Sequence, residues 1–167
     1  MSKNGCNVLL FQGISQYNAL RNYIEEIEMG FRLSGYHTYL IDGAEKSRGF
    51  QLEELSGSET IDLIFTCNVI AAELLRQYFP RAFYATYLTD HPASHDLRLK
   101  TLDARSIVFT CDRRHEAYIR RFFPNIKYVK FIPLSGLASK REVPYRNRSR
   151  DLIFIGSYGR PEDSYEA

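Results

Sequence analysis

The feature that most constrains this chain is a rhythm. Short runs of apolar, β-branched or aromatic residues recur along it, separated by helix-like stretches. The runs are "CNVLLF" (6–11), "YHTYLI" (36–41), "DLIFT" (62–66), "FYATYL" (83–88), "SIVFT" (106–110), "KYVKFI" (127–132) and "DLIFI" (151–155). Several are nearly unbroken in hydrophobicity, as expected of strands covered on both faces. Residues 15–35 form the clearest helix between them: Leu20, Tyr23, Ile24, Ile27, Phe31 and Leu33 make an apolar side at helical spacing. Ser15 stands where its N-cap belongs and Gly35 where its C′ residue belongs. "VIAAELLRQYF" and "RRHEAYIRRFF" read as further helices, each ending where Pro80 or Pro124 forbids continuation. Asp112 is placed to cap the latter, and 93–104 reads as a shorter helix.

Strand and helix in alternation, with short connections, predict an α/β fold. The expected form is a Rossmann-like, doubly wound parallel sheet of about six strands flanked by helices. The boundaries read as a Rossmann-like domain over 1–136, a basic linker over 137–150, and over 151–167 the first strand and glycine turn of a second Rossmann-like domain. The linker is assigned because its Arg-, Ser-, Pro- and Gly-rich sequence has no hydrophobic period and exceeds the usual connection within one unit.

Charge is uneven along the chain. The net charge is +2, yet residues 113–150 hold 11 Lys and Arg against 2 acidic residues. Such a segment suits phosphate, although a solvated helix face and linker explain it as well. No apolar run approaches the roughly 20 residues that span a bilayer. The N-terminus enters a strand without a signal-peptide core. Cys6, Cys67 and Cys111 are odd in number, widely spaced and without a C-x-x-C pair, which argues for reduced thiols. These features together read as a cytoplasmic protein.

Sheets of this kind bind ligands beyond the carboxyl ends of their strands. That rule selects Gln12, Gly13, Ile14 and Ser15 after the first strand, Asp42 after the second, and Cys67 and Asn68 after the third. It also selects Thr89, Asp90 and His91 after the fourth, with His95 in the same turn, and Cys111 and Asp112 after the fifth, with His115 one turn into the helix that follows. Asp90 and His91 suit general acid–base work, since a carboxylate tunes an imidazole toward neutral pH. Asp90 also reads as an N-cap before His91-Pro92. His91 and His95 have the spacing of metal ligands on a helix, but no acidic signature frames them, so no metal is assigned. The first loop, "FQGISQYN", lacks both G-x-G-x-x-G and the P-loop pattern, which argues against a dinucleotide site. It also lacks the acidic pair of a phospho-receiver. A non-catalytic flavodoxin-like binding module, or a nucleic-acid module using 113–150, remain the alternatives, with nucleic acid the less favoured partner.

The segments "NVLLFQGISQYNALRNYIEEIEMGFRLSGYHTYLID", "YLTDHPASHDLRL", "VFTCDRRHEAYIRRFFPNIKYVKFIPLSG" and "RSRDLIFIGSYGRP" carry a resemblance. The chain looks like the N-terminal half of a GT-B glycosyltransferase, of the bacterial group related to the spore-maturation, CgeB-like enzymes. That resemblance implies two Rossmann-like domains facing across a cleft, the first receiving a hydroxyl acceptor and the second holding a nucleotide sugar. No cofactor and no metal are then needed, only the nucleotide-sugar co-substrate. In inverting members a side-chain base of the first domain deprotonates the acceptor, and Asp90, or His91 beside it, stands in that place. Gly156, Ser157 and Arg160 fall on the donor-phosphate side. The 167 residues by themselves are then expected to be inactive, or nearly so.

Overall fold

The computed structural model describes residues 5–13 and 19–133, all within one compact unit, Met1–Leu134. The expectations for Ser15, the 137–150 linker, the 151–155 strand, Gly156, Ser157 and Arg160 lie outside the described residues.

β1 (Asn7–Gln12) is buried from Val8 onward, because apolar side chains occupy successive positions and both of its faces are covered. Its neighbours are β2 (His37–Asp42) and β3 (Leu63–Cys67), followed outward by β4 (Phe83–Leu88), β5 (Ser106–Thr110) and β6 (Tyr128–Phe131). The order β2-β1-β3-β4-β5-β6 is parallel throughout. The expected Rossmann-like parallel sheet is therefore present. Its strand order reverses between β1 and β3, which is the topological switch point.

Alternation of side chains splits the core into two layers. Val8, Leu10, Phe65, Ala85 and Tyr87 face α1 (Ala19–Leu33), whose Ile24 is buried among them. Leu9, Phe11, Ile64, Tyr84, Leu88, Val108 and Val129 face the opposite layer. That layer is built by α2 (Arg48–Ser58), α3 (Ala72–Tyr78), α4 (Asp96–Leu99) and α5 (Arg113–Phe122) through Leu52, Leu75, Leu99 and Ile119. Each such aliphatic side chain contributes about 1.5–3 kcal/mol by leaving water. Among the described residues no helix is long and apolar enough to cross a membrane.

Local signals held where they were short-ranged. α1 ends at Gly35, whose φ of +83° is the left-handed conformation that glycine adopts without a Cβ penalty. The N–H groups of Gly35 and Tyr36 donate to the carbonyls of Arg32 and Phe31, closing the helix. Asp112 caps α5 as expected, its Oδ1 accepting from the Arg114 N–H at 2.6 Å. The predicted helix over 93–104 is instead a 3₁₀ turn, Pro92–His95, followed by the single turn of α4. α2 has no counterpart in the sequence reading. It contains Gly49 and Gly57 and anchors only Leu52 and Leu55, while Phe50 stays exposed. So sparse an apolar stripe does not announce a helix.

Candidate functional site

Among the described residues, the turn that leaves β3 is the least ordinary backbone. Asn68, Val69 and Ala71 have φ of 54°, 53° and 53°. The left-handed region is costly for any non-glycine residue and most of all for a β-branched one. Conformations of this kind cost about 1–3 kcal/mol each and persist only where surroundings over-determine them. Here a buried polar ladder does so. The Val69 N–H donates to Thr86 Oγ1 at 2.9 Å, and Thr66 Oγ1 lies 3.3 Å from the same oxygen. Thr66 also shares a 2.7 Å hydrogen bond with the Tyr84 hydroxyl, which donates to the Ile70 carbonyl at 2.8 Å. Burial pushes the Tyr84 phenol well above its ordinary pKa, so it stays neutral and can donate.

The strained turn aims Asn68 sideways toward the end of β4. Asn68 is 8% exposed. Its Nδ2 donates to Thr89 Oγ1 at 3.0 Å and to Asp90 Oδ2 at 3.1 Å, while its Oδ1 accepts from the Thr89 N–H at 2.9 Å. The Thr89 hydroxyl lies 3.3 Å from the same Asp90 oxygen. Arg98 of α4 completes the clasp by donating to the Asn68 carbonyl at 3.2 Å. Asp90 is thus held at its inner oxygen while its side chain remains 61% exposed. A carboxylate fixed in this way presents a defined acceptor to solvent.

Behind Asp90 lies His95, 9% exposed, with Nε2 at 3.7 Å from Asp90 Oδ2 and no hydrogen-bond partner. Burial lowers the His95 pKa and Arg98 lowers it further, against the attraction of Asp90. Desolvation disfavours the charged imidazolium, so His95 is kept neutral further into acid than an exposed histidine.

His91 is turned elsewhere. Its Nδ1 accepts from the Ala93 N–H at 3.1 Å, so His91 caps the 3₁₀ turn and Pro92 takes the first position. This corrects the reading of Asp90 as the N-cap: Asp90 is engaged by Asn68 and Thr89 instead. The His91 ring meets His115 edge-on at 4.8 Å and Tyr118 at 5.1 Å, both on α5. His115 Nδ1 is buried there without a partner. His91 and His95 therefore do not share a helix face. Among the described residues no cluster of three or more His, Cys, Asp or Glu side chains could hold a metal ion.

The remaining candidates separate from this group. Gln12 is 4% exposed, and its Nε2 reaches Glu25 Oε1 of α1 at 3.5 Å. Gly13 lies beneath the Ile70 side chain, so closely that a Cβ at Gly13 would meet Ile70 Cδ1 at 2.2 Å. Asp112 serves its own helix. Cys67 is buried beside the rim, and desolvation pushes its thiol up to about 12, which keeps it protonated near neutral pH. Cys111 donates through Sγ to the Thr89 carbonyl at 3.5 Å.

Arg98 is the site residue that the strand-end rule missed, because it lies on α4 and reaches back to the turn. It also lines a hollow of about 250 Å³ with Ala71, Ala72, Glu73 and Thr101. A larger hollow, about 480 Å³, lies between β2 and α2 and contains none of the expected site residues. The smaller one matters more for chemistry, since it adjoins the clasped turn. No protein-family model matches the chain, and no curated protein matches it significantly. The described residues form a Rossmann-like α/β domain that carries an Asn68–Thr89–Asp90–His95 polar group at the carboxyl rim of its sheet.

Proposed function

We propose that this chain is the acceptor-side domain of a nucleotide-sugar-dependent glycosyltransferase, with Asp90 as the base that takes the proton of an acceptor hydroxyl. The observation that carries this reading is the clasped, exposed carboxylate at the ligand-binding rim of an open parallel sheet. Asn68 and Thr89 hold one oxygen, leaving the other to meet a hydroxyl in a fixed direction. Transfer then proceeds by attack of the acceptor oxygen on the sugar carbon and departure of a nucleoside diphosphate. His91, the other residue expected at this position, is engaged by Ala93 and by the rings of α5, which favours Asp90 as the base.

The test belongs to the polypeptide that joins this domain to its donor domain. Nucleoside diphosphate release is measured across a panel of UDP-, GDP-, ADP- and dTDP-sugars with polyol and glycoside acceptors. Asp90→Asn is expected to lower turnover by about 10²–10⁴-fold, the usual worth of a general base. His91→Ala is expected to cost far less. Undiminished turnover in Asp90→Asn would remove Asp90 from the reaction.

A second reading, a non-catalytic binding module, is favoured by the strand order. The sequence β2-β1-β3-β4-β5 is that of flavodoxin-like folds, whose ligands sit at the β1/β3 switch point. Ile70 packed over Gly13 argues against an open site there. Binding of a flavin or nucleotide in the absence of sugar transfer would favour this reading.

A further inference from the structure

His95 is a buried imidazole whose Nε2, without a hydrogen-bond partner, faces a carboxylate 3.7 Å away. Burying a polar nitrogen without a hydrogen bond costs about 1–3 kcal/mol. The distance is also informative. It exceeds a hydrogen bond, yet a small turn of the exposed Asp90 carboxylate closes it.

We infer that Asp90 and His95 work as one proton-accepting unit, the exposed carboxylate meeting the acceptor hydroxyl and the buried imidazole storing the proton behind it. The role at a hydroxyl rests on the glycosyltransferase reading; the coupling of the two groups does not. As the acceptor oxygen bonds to the sugar carbon, the bond from that carbon to the nucleoside diphosphate breaks and its electron pair leaves with the phosphate. The acceptor O–H bond breaks in the same event, and its proton goes to Asp90. The protonated carboxyl group then turns about its own axis, exchanging the oxygen held by Asn68, and delivers the proton to the lone pair on His95 Nε2, leaving a carboxylate against an imidazolium. When the product leaves, the proton returns to solvent through Asp90.

Ordinary imidazole titrates about two and a half units above an ordinary aspartate, which favours transfer in this direction. Burial and Arg98 oppose the charged imidazolium, and Asp90 favours it. Those are the charged groups acting on His95 from its own turn and from α4. From α5, His115 faces His91 rather than His95. Asn68 fixes the Asp90 oxygen that faces His95, so the pair is set by the strained turn after β3. His95 is therefore a positioning residue, acting on substrate only through Asp90.

The pair is tested on the whole chain by ¹⁵N and ¹³C NMR titration of the histidine side chains. Neutral His95 is expected to carry its proton on Nδ1, leaving Nε2 free to accept. Asp90→Asn, and Asp90→Ser as a second variant, are expected to lower the His95 proton affinity about tenfold, one pKa unit. The control Asp96→Asn, at a residue paired with Lys100, is expected to leave it unchanged. A proton on Nε2 in the neutral form, or a His95 titration that ignores the loss of Asp90, overturns the pair. Intact coupling in a polypeptide that transfers no sugar would support the pair while removing the glycosyltransferase reading. An uncoupled His95 beside a dead Asp90→Asn enzyme would do the reverse.

Discussion

Two strand ends in this chain read almost alike, Thr66-Cys67-Asn68 at β3 and Thr110-Cys111-Asp112 at β5, yet the backbone leaves them in different ways. At β3 the chain turns left-handed at Asn68, and α3 begins only at Ala72. At β5 Asp112 stays extended, with φ −130° and ψ 137°, and α5 begins at the next residue. The side chains divide in the same manner. Asn68 crosses to the neighbouring strand end, whereas Asp112 bends back to its own helix. The difference follows from what each side chain faces. Asp112 meets only backbone N–H donors, and a carboxylate accepts from them without help. Asn68 meets a carboxylate on one side and an N–H on the other, so only a group that both donates and accepts satisfies the position.

Breaking the comparison is simplest at its stronger end. Asn68→Asp removes the donor and sets a second carboxylate against Asp90, and it is expected to destabilise the fold by about 2–3 kcal/mol. A shift in the urea midpoint measures this, and a loss under about 0.5 kcal/mol would mean that the clasp contributes little. Acid gives the next test, because the clasp that Asn68 makes with Asp90 has His95 buried behind it. The folded His95 binds its proton more weakly than the unfolded chain does, first because of burial. The unfolded state therefore takes up more protons as pH falls, and stability present above the ordinary histidine pKa declines as pH falls through and below it, at about 6.5. His95→Gln is expected to flatten that slope in denaturation curves taken across the window.

Asp112→Ala removes a helix cap and is expected to cost about 1 kcal/mol, read from the same denaturation midpoint. Asp112→Asn sharpens the contrast, for asparagine caps as well as aspartate and the change is expected to stay within about 0.3 kcal/mol. The single-atom exchange that harms β3 is then harmless at β5. Equal effects of the two exchanges would show that the turns are alike after all.

The parts of the fold legible in the sequence were those written over a few neighbouring residues. The strand runs, the Gly35 stop and the Asp112 cap each depend on contacts within about one helical turn or one pleat. α2 escaped because its anchoring is tertiary: Leu52 and Leu55 are buried only once the layer over β1 and β3 exists. At the site, the strand-end rule selected Asn68, Thr89 and Asp90, with His95 in the same turn, but it offered His91 as the alternative to Asp90 and passed over Arg98. Adjacent residues in a turn point apart, and a turn of 3₁₀ helix was needed to bring His95 back beneath Asp90.

By itself, then, the chain of letters determined an alternating α/β layout and the carboxyl rim as the place where polar chemistry gathers. Hydrophobic period and helix capping are local properties, carried by any segment that has the right residues in order. Tertiary structure alone decided the company each rim residue keeps. Asn68 reaches Asp90 because β3 and β4 lie side by side with Cys67 opposite Tyr87. His91 is drawn to α5 because that helix packs over the same turn. Strand order and register bring together side chains far apart in sequence, and no spacing along the chain encodes that meeting.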